Sequence, residues 1–401
     1  MKRILLYILV ISFLLSGCTA KHVDETAADL PTDGSAIQNE PISVIPESTT
    51  PVYMQQPMIA ISMPLVTEYT SNNDAVVYYY TYQDIYLSLQ DQQVADTIII
   101  NFLNRLDQAH RVSQDLAQHA SDTYSASSTW NPYFMEYIYS PTRIDSSVLS
   151  LFGRNVIYTG GQHAELEGIA ANYNMITGEV LTLGSILCHI DAVADLCSLT
   201  IERLSESEGT LSLFKDYTQV VTQRFLRDAS YDEDWYFTKD GLVFYFAPYE
   251  IAPYTSGVIT VEIPYDKLTN IIEDEFFPAE TDFSEGKIIA TTLSEINLDN
   301  FTQITELQLN SDGEHIFLYC EGLVRNVQIK AGELNEGGAD FLPKCTVWAA
   351  ATLSPGDGVA IQTHISDTQP TIQLSYYTGN EYVVQYISQS GNDGSILLTA
   401  P

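Results

Sequence analysis

The sequence predicts an α+β fold, an antiparallel sheet with packed helices, followed by a smaller all-β sandwich or barrel. Three observations indicate this. Short runs rich in β-branched and aromatic residues, such as 76–90, alternate like half-buried strands. One long segment has helical periodicity instead. After about residue 281 only strand-like runs occur, separated by Asp-Gly, Pro-Gly and Gly-Asn turns.

The first 57 residues do not enter the fold prediction. Two cations and an apolar run, Ile4–Leu15, are typical of a secretory signal, and the run is too short for a membrane span, which needs about 20 apolar residues. The end of this run, Leu-Ser-Gly-Cys, resembles the lipobox of bacterial lipoproteins. It implies that residues 1–17 are removed and that Cys18 is acylated and anchors the chain to the membrane. The alternative is an ordinary signal peptide with a chance cysteine. Residues 18–57 are polar, acidic and spaced with prolines, so we expect a disordered tether.

The predicted α+β domain covers residues 58–280. After the strand-like run comes a helix whose apolar residues recur at steps of three or four, which gives one buried stripe. The stripe consists of Val94, Ile98, Phe102, Leu106, Ala109, Val112 and Leu116. Two strands are then expected at 133–145 and 147–161, and Thr177-Gly178 supplies a hairpin turn.

The second half of this domain repeats the change from helix to strand. Residues 190–228 have helical spacing, which the region of Gly209 divides into two helices. Residues 235–250 are predicted to form two strands around a Lys-Asp-Gly turn, and 257–265 to form a third strand.

Residues 281–401 are predicted to form a separate β domain of seven to nine short strands. Cys320 and Cys345 lie in two of these runs, and an exported location permits disulfides, so this pair is a candidate for a bridge. Cys188 and Cys197 are not expected to pair, because helical spacing would separate them too far. The cysteines and histidines do not have zinc-ligand spacing, so we predict neither a metal nor a cofactor.

The charge restricts the partners. A formal net charge of −35 repels nucleic acid, anionic lipid and polyanionic wall polymers, and it steers cationic partners toward the chain. The alternative is that acidity only keeps an exported protein soluble.

Four segments follow one another in a distinctive order: YLSLQDQQVADTIIINFLNRL, YTGGQHAE, NYNMITGEVLTLGSIL and FTKDGLVFYFAPYEIAPYTSGVITVEIPYDKL. This order resembles the extracellular domain of RsiV-type anti-sigma factors, the lysozyme receptors of some Gram-positive bacteria, over about residues 60 to 270. A similar domain is fused to certain peptidoglycan deacetylases. The family motif Gly-Gly-x-His falls on Gly160, Gly161 and His163. The motif Tyr-Glu-Ile-x-Pro-Tyr-x-x-Gly falls on Tyr249, Glu250, Ile251, Pro253, Tyr254 and Gly257.

The resemblance implies a lysozyme-binding surface, for which the candidate residues are Gly160, Gly161, His163, Tyr249, Glu250 and Tyr254. Two family features are missing: the sequence shows neither a cytoplasmic sigma-binding segment with its membrane helix nor a deacetylase domain. Anti-sigma activity is therefore not implied.

Catalysis is the other interpretation of these residues. Glu250, between tyrosines and prolines, has the surroundings of a general acid with a raised pKa, but glycoside chemistry needs a second carboxylate at a defined distance, and the sequence does not specify one. A glutamate that accepts backbone N–H bonds and holds the loop shut is the alternative. For His163 the alternatives are a ligand or base and a loop-ordering histidine. Nucleophile-elbow, metalloprotease, P-loop and dinucleotide motifs are absent from the sequence.

We therefore expect a non-enzymatic, lipid-anchored surface protein that binds lysozyme or another cationic extracellular protein. The 26 tyrosines suit a binding surface, by protein contact or by carbohydrate stacking, although strand tyrosines also face cores. Two other functions stay open. One is a wall-active or glycan-binding accessory protein, and the other is a structural or assembly lipoprotein of the envelope.

Overall fold

A computed structural model describes residues 58–125, 130–207, 211–226, 234–278, 286–310, 313–335, 341–365, 370–379, 381–389 and 395–400. All of them belong to one compact unit, Gln55–Pro401. The predicted signal, the acylated Cys18 and the tether lie outside the described residues. Within the described ranges, the helices are too short or too polar to cross a membrane.

The described chain is mostly β-structure with several antiparallel sheets and four helices, so the predicted α+β fold is confirmed. The strands are β1 (Ala60–Ser62), β2 (Leu65–Asn72), β3 (Ala75–Gln83), β4 (Tyr86–Ser88), β5 (Tyr133–Ile144), β6 (Val148–Tyr158), β7 (Glu165–Asn174), β8 (Trp235–Phe237), β9 (Gly241–Phe246), β10 (Ile259–Pro264), β11 (Lys287–Thr292), β12 (Gln303–Gln308), β13 (Glu314–Glu321), β14 (Val324–Leu334), β15 (Phe341–Leu353), β16 (Asp357–Thr363), β17 (Ile372–Thr378), β18 (Glu381–Gln389) and β19 (Ile396–Thr399). The helices are α1 (Gln92–Thr123), α2 (Leu183–Ile186), α3 (Ala192–Glu206) and α4 (Tyr217–Phe225).

Helix α1 packs on a five-stranded sheet of order β2-β3-β5-β6-β7. The apolar stripe of the helix is buried as predicted up to Ala109. Val112 is an error in that prediction, because it is exposed while Ser113 is buried in its place. Ser113 is accommodated in the interior because its Oγ accepts a hydrogen bond from the Tyr78 hydroxyl over 2.9 Å.

The tyrosine run of β3 divides between the two faces of this sheet. Tyr78 and Tyr80 are buried under α1, and burial raises the pKa of Tyr78 to about 12, so its phenol stays neutral. Tyr79 lies on the opposite face and stacks on Phe134 of β5, with ring centroids 5.2 Å apart. Part of the tyrosine content therefore serves the core.

A three-stranded sheet of order β10-β9-β8 packs against α3 and α4. Its strands and the turn at Lys239-Asp240 form where they were predicted. Side chains of β6 and β7 attach β8 to the five-stranded sheet. Asn172 donates to the Trp235 carbonyl over 2.9 Å, and Ser150 Oγ accepts from the Phe237 amide over 2.9 Å. These bonds fix the hairpin whose far end carries the candidate site.

The C-terminal strands form two sheets, β19-β18-β17-β14-β15-β1-β4 and β11-β13-β16-β12, which enclose one apolar core. This matches the predicted sandwich, and the described sheets do not close into a barrel. The larger sheet also takes in β1 and β4, with Ile61 opposite Ala349. The sandwich thus incorporates strands from the N-terminal side of the expected division at 280/281, and that division stays a prediction.

The candidate disulfide is not formed. Cys320 lies on β13 and Cys345 on β15, in different sheets, and both thiols are free and buried. The Cys320 thiol instead donates to the Leu353 carbonyl, with 3.3 Å between sulfur and oxygen. Burial raises the pKa of Cys320 to about 12 and that of Cys345 to about 11, so neither is a reactive thiolate at neutral pH.

Candidate functional site: an aromatic loop

The candidate site lies on the loop that joins β9 to β10. Ile251 and Ala252, at the middle of this loop, are buried in the core of the three-stranded sheet and its helices. The Ile251 carbonyl accepts from the Phe214 amide over 2.8 Å. Because its middle is anchored, the loop presents its remaining residues in a fixed direction.

A partly buried ionic cluster holds the same loop. Glu250 Oε1 accepts from Arg224 over 3.0 Å, and Oε2 accepts from the Ala247 amide over 2.9 Å. The guanidinium also bonds Asp234 at 2.6 Å and lies 4.7 Å from the ring centroid of Phe246. Of the alternatives for Glu250, these bonds match the one in which it accepts a backbone N–H and holds the loop. Both of its oxygens are occupied by these bonds, which disfavours the general-acid interpretation.

Tyr249 is the most unusual residue of the loop. Its side chain is 67% exposed, and its backbone has φ of +69°, in the left-handed region that a bulky residue rarely adopts. Two bonds impose this conformation: the Tyr249 amide donates to Ala252 O over 3.0 Å, and the Glu250 amide donates to Ala247 O over 3.1 Å. An exposed aromatic side chain on a strained backbone is typical of functional positions.

Tyr254 connects this loop to the β6–β7 loop. Its hydroxyl donates to the Ala164 carbonyl over 2.8 Å. Its ring centroid lies 5.6 Å from that of Tyr249 and 5.3 Å from that of His163. The structure therefore brings together three of the predicted residues, although they come from two distant segments of the sequence.

The glycines of the β6–β7 loop act differently from one another. Gly160 has φ of +87°, and a Cβ there would lie 2.9 Å from the Tyr133 ring, so both backbone and packing require glycine. A Cβ on Gly161 would be no closer than 3.6 Å to a neighbouring atom. Gly160 shapes the path that leads to His163, whereas Gly161 has no such constraint.

A cleft of about 420 Å³ lies between the two loops. Its walls include the rings of His163, Tyr249 and Tyr254, together with Pro248 and the exposed carboxylate of Glu165. Glu165 makes no ion pair or side-chain hydrogen bond within the described part of the chain. A carboxylate beside π faces suits a cationic side chain, because both attract a positive charge.

Some residues of the site were not identified from the sequence. Glu165 is an acid at the first position of a strand in a chain with 52 acids, so nothing in the pattern sets it apart. Arg224 lies inside the segment predicted to be helical, 190–228, and its contact with Glu250 spans 26 positions. Among the described residues, no group of three or more His, Cys, Asp or Glu side chains is arranged to hold a metal.

A family model matches the part of the chain that contains the β9–β10 loop. Residues 193–266 match a family model described as "Protein of unknown function (DUF3298)". A crystal structure of a DUF3298 family member from Bacteroides fragilis covers 54% of this chain and 94% of its own length, at 17% identity and a TM-score of 0.43. A DUF3298 family protein from Pseudomonas aeruginosa PAO1 covers 55% and 97%, at 14% identity and a TM-score of 0.37. No curated protein matches. The chain therefore contains a DUF3298 domain, which extends from α3 through β10 and includes the β9–β10 loop with Tyr249 and Tyr254.

Proposed function

We propose that this chain is a lipid-anchored surface protein that recognises a cationic extracellular protein, with lysozyme as the first candidate. The observation that supports it most is the cleft of Tyr249, Tyr254, His163 and Glu165, here called the aromatic cleft. Tyr249 and His163 are exposed and Tyr254 is half-buried, and the loop that carries the two tyrosines is fixed by the buried Ile251 and Ala252. The predicted acylation of Cys18 would keep this cleft outside the cell membrane, and the resemblance to RsiV-type extracellular domains supplies the candidate partner.

Pre-organisation favours tight binding here. A mobile loop loses conformational freedom when it binds, and this loss weakens affinity. The Arg224–Glu250 pair and the buried Ile251 restrict the loop before the partner arrives. Tyrosine adds a large contact area with few rotatable bonds, which is the property of central anchors in protein interfaces.

Charge contributes to binding at long range and at close range. The net charge of −35 raises the encounter rate with any basic protein, and salt weakens this effect. Glu165 and the rings would select a lysine or arginine side chain at close range. Specific recognition should therefore show in the dissociation rate, and general attraction in the association rate.

The test is the binding of lysozyme to the purified chain, followed by surface plasmon resonance. We expect submicromolar affinity, an association rate that falls with salt, and dissociation that is about thirtyfold faster in Tyr249→Ala, since truncating a central anchor costs about 2 kcal/mol. Tyr69→Ala is the matched control, because Tyr69 is equally exposed but lies on β2. Glu165→Gln should also speed dissociation.

Two results would contradict the proposal. One is lysozyme binding no tighter than that of a comparably basic control protein, which would leave only charge attraction. The other is an equal effect of Tyr249→Ala and Tyr69→Ala. Circular dichroism of each variant separates a lost contact from a lost fold.

A glycan-binding function is the second candidate, and a different surface favours it. Four aromatic residues are direct cross-strand neighbours on the solvent side of β2, β3, β5 and β6. They are Tyr69, Tyr79, Phe134 and Tyr158, with successive ring centroids 6.4, 5.2 and 5.4 Å apart. If wall fragments bind here, Tyr69→Ala should abolish their binding and leave lysozyme binding unchanged. The same pair of variants therefore distinguishes the two functions.

A further inference from the structure

A second cleft, of about 340 Å³, lies where the β8–β9 turn meets the outer face of β14 and β17. Gln328 of β14 donates to the Pro141 carbonyl of β5 over 3.2 Å and fixes one wall. This cleft shares no lining residue with the aromatic cleft. Its volume is in the range of small-molecule sites.

The acids around this cleft already have partners. Asp240 pairs with Lys239 at 2.7 Å, and Glu262 accepts a hydrogen bond from the Thr238 hydroxyl. The Lys239 ammonium also lies 4.9 Å from the ring centroid of Tyr377. Burial opposes its charge, but the bonds to Asp240 and Tyr377 outweigh burial and raise the pKa of Lys239, so it stays protonated.

One cation of the cleft is left without such a partner. Lys330 of β14 is half-buried and lines the cleft, yet over the described ranges it forms neither an ion pair nor a side-chain hydrogen bond. This is unusual in a chain with 17 basic and 52 acidic residues, where acids are abundant. An unpaired ammonium in a cleft attracts an anion.

Two further features of the cleft suit a ligand: an aromatic wall and a buried hydroxyl. The Tyr377 and Tyr382 rings, with centroids 4.9 Å apart, form one wall, and Tyr382 is half exposed. Ser375 is 1% exposed, and its hydroxyl has no hydrogen-bond partner among the described residues. A buried polar group without a partner is rare, and a ligand that reaches it is one explanation.

We infer that this cleft binds a small organic acid with a six-membered ring, whose carboxylate pairs with Lys330 while its ring lies against Tyr377 and Tyr382. Sugar acids and aromatic acids share this chemistry. Because the two sides of the cleft belong to the DUF3298 domain and to the C-terminal sandwich, a bound acid would contact both and stabilise the folded chain by mass action.

The test is calorimetric titration of the full chain with glucuronate and with phenylacetate, each against a neutral counterpart, glucose and benzyl alcohol. We expect saturable binding of at least one acid, and about tenfold or more weaker binding of its neutral counterpart, as for the loss of a charged hydrogen bond. The acid that binds identifies the source class. Tyr382→Ala should weaken the binding of that acid as well.

Lys330→Gln should weaken binding of the acid by about tenfold or more. Lys330→Arg should still bind the acid, because it keeps the positive charge. Lys344→Gln is the matched control: it removes the same charge from an exposed lysine that pairs with Glu333. The proposal is overturned if neither acid binds saturably, or if Lys330→Gln and Lys344→Gln weaken binding of the acid equally. It is also overturned if Lys330→Arg, folded by its melting curve, binds no better than Lys330→Gln.

Discussion

Arg143 and Arg224 both pair with partly exposed carboxylates, but the two guanidinium groups lie at different depths. The Arg143 side chain is 2% exposed; it pairs with Asp145 at 2.6 Å and donates to the Tyr265 hydroxyl and the Phe276 carbonyl. The Arg224 side chain is 11% exposed and pairs with the half-exposed carboxylates of Asp234 and Glu250. Arg143 thus ties distant parts of the framework, while Arg224 fixes one surface loop.

The comparison shows how one type of contact serves two purposes. A deep cation costs much to disrupt when a group that it leaves behind is itself buried, as the Phe276 carbonyl beside Arg143 is. A shallow cation costs less to disrupt, because water can reach the carboxylates it leaves behind. We therefore expect stability to depend chiefly on Arg143 and binding chiefly on Arg224.

The largest effect is expected from Arg143→Ala. It leaves the buried Phe276 carbonyl without its Arg143 donor and removes the cation that pairs with Asp145, so the free energy of unfolding should fall by about 3–5 kcal/mol. Urea titration measures this. Arg111→Ala removes an exposed helical pair with Asp107 and should change the same free energy by less than about 0.5 kcal/mol. Similar losses for the two variants would mean that depth does not set the cost.

Arg224→Ala should have a smaller effect on stability and a larger one on binding. Its two carboxylates would repel each other but remain accessible to water, so we expect a loss of about 1–3 kcal/mol. The loop amides of residues 247–257 should exchange hydrogen faster, and lysozyme affinity should fall. Arg203→Ala, in the exposed pair with Glu206, is the control. Unchanged exchange in the loop would show that Ile251 alone fixes it.

The Arg143 cluster also predicts a pH dependence. Burial alone would raise the pKa of Asp145, but Arg143 and the amides of Ser147 and Val148 outweigh burial and lower this pKa from its ordinary value of 3.8. The unfolded state therefore takes up the proton first as the pH falls. The stability that Asp145 contributes is complete above its unfolded pKa and is lost as the pH drops through the folded one.

Chemical denaturation between pH 6 and pH 2 follows this loss. Asp145→Asn should be less stable at pH 6 and should lose less stability on acidification than the unaltered chain. Asp107→Asn, which alters an exposed ion pair with Arg111, is the control. A steeper acid loss in Asp145→Asn would contradict the lowered pKa.

Local pattern predicted the elements of this fold well, and long-range pairing much less. The alternation in 133–161 and the turn at Lys239-Asp240 depend on neighbouring residues, so β5, β6, β8 and β9 form where expected. The addition of β1 and β4 to the C-terminal sheet depends on pairing across some 290 positions, which no local pattern encodes. The same holds for Cys320 and Cys345, whose separation depends on which sheet each strand joins.

The candidate site follows the same division. The resemblance implied His163, Tyr249, Glu250 and Tyr254 as binding residues, and holding the loop was one of the alternatives for Glu250. Their assembly with Glu165 and Arg224 needed the structure, because these residues lie on four separate elements: the β6–β7 loop, the start of β7, α4 and the β9–β10 loop. The sequence also does not reveal the left-handed backbone conformation of Tyr249, because the hydrogen bonds around it impose that conformation.

The smallest effect on stability, and the most informative one, is expected from Tyr249→Gly compared with Tyr249→Ala. Both variants remove the exposed ring, but only glycine adopts φ of +69° without strain. Glycine also gives the unfolded chain more freedom, which offsets part of the relief. We expect the free energy of unfolding of Tyr249→Gly to be about 0.5–1 kcal/mol higher than that of Tyr249→Ala.

If the ring is the binding anchor, the two variants should lose lysozyme affinity to the same extent despite this difference in stability. Affinity that follows stability would instead mean that the strained backbone, and not the ring, shapes the binding surface.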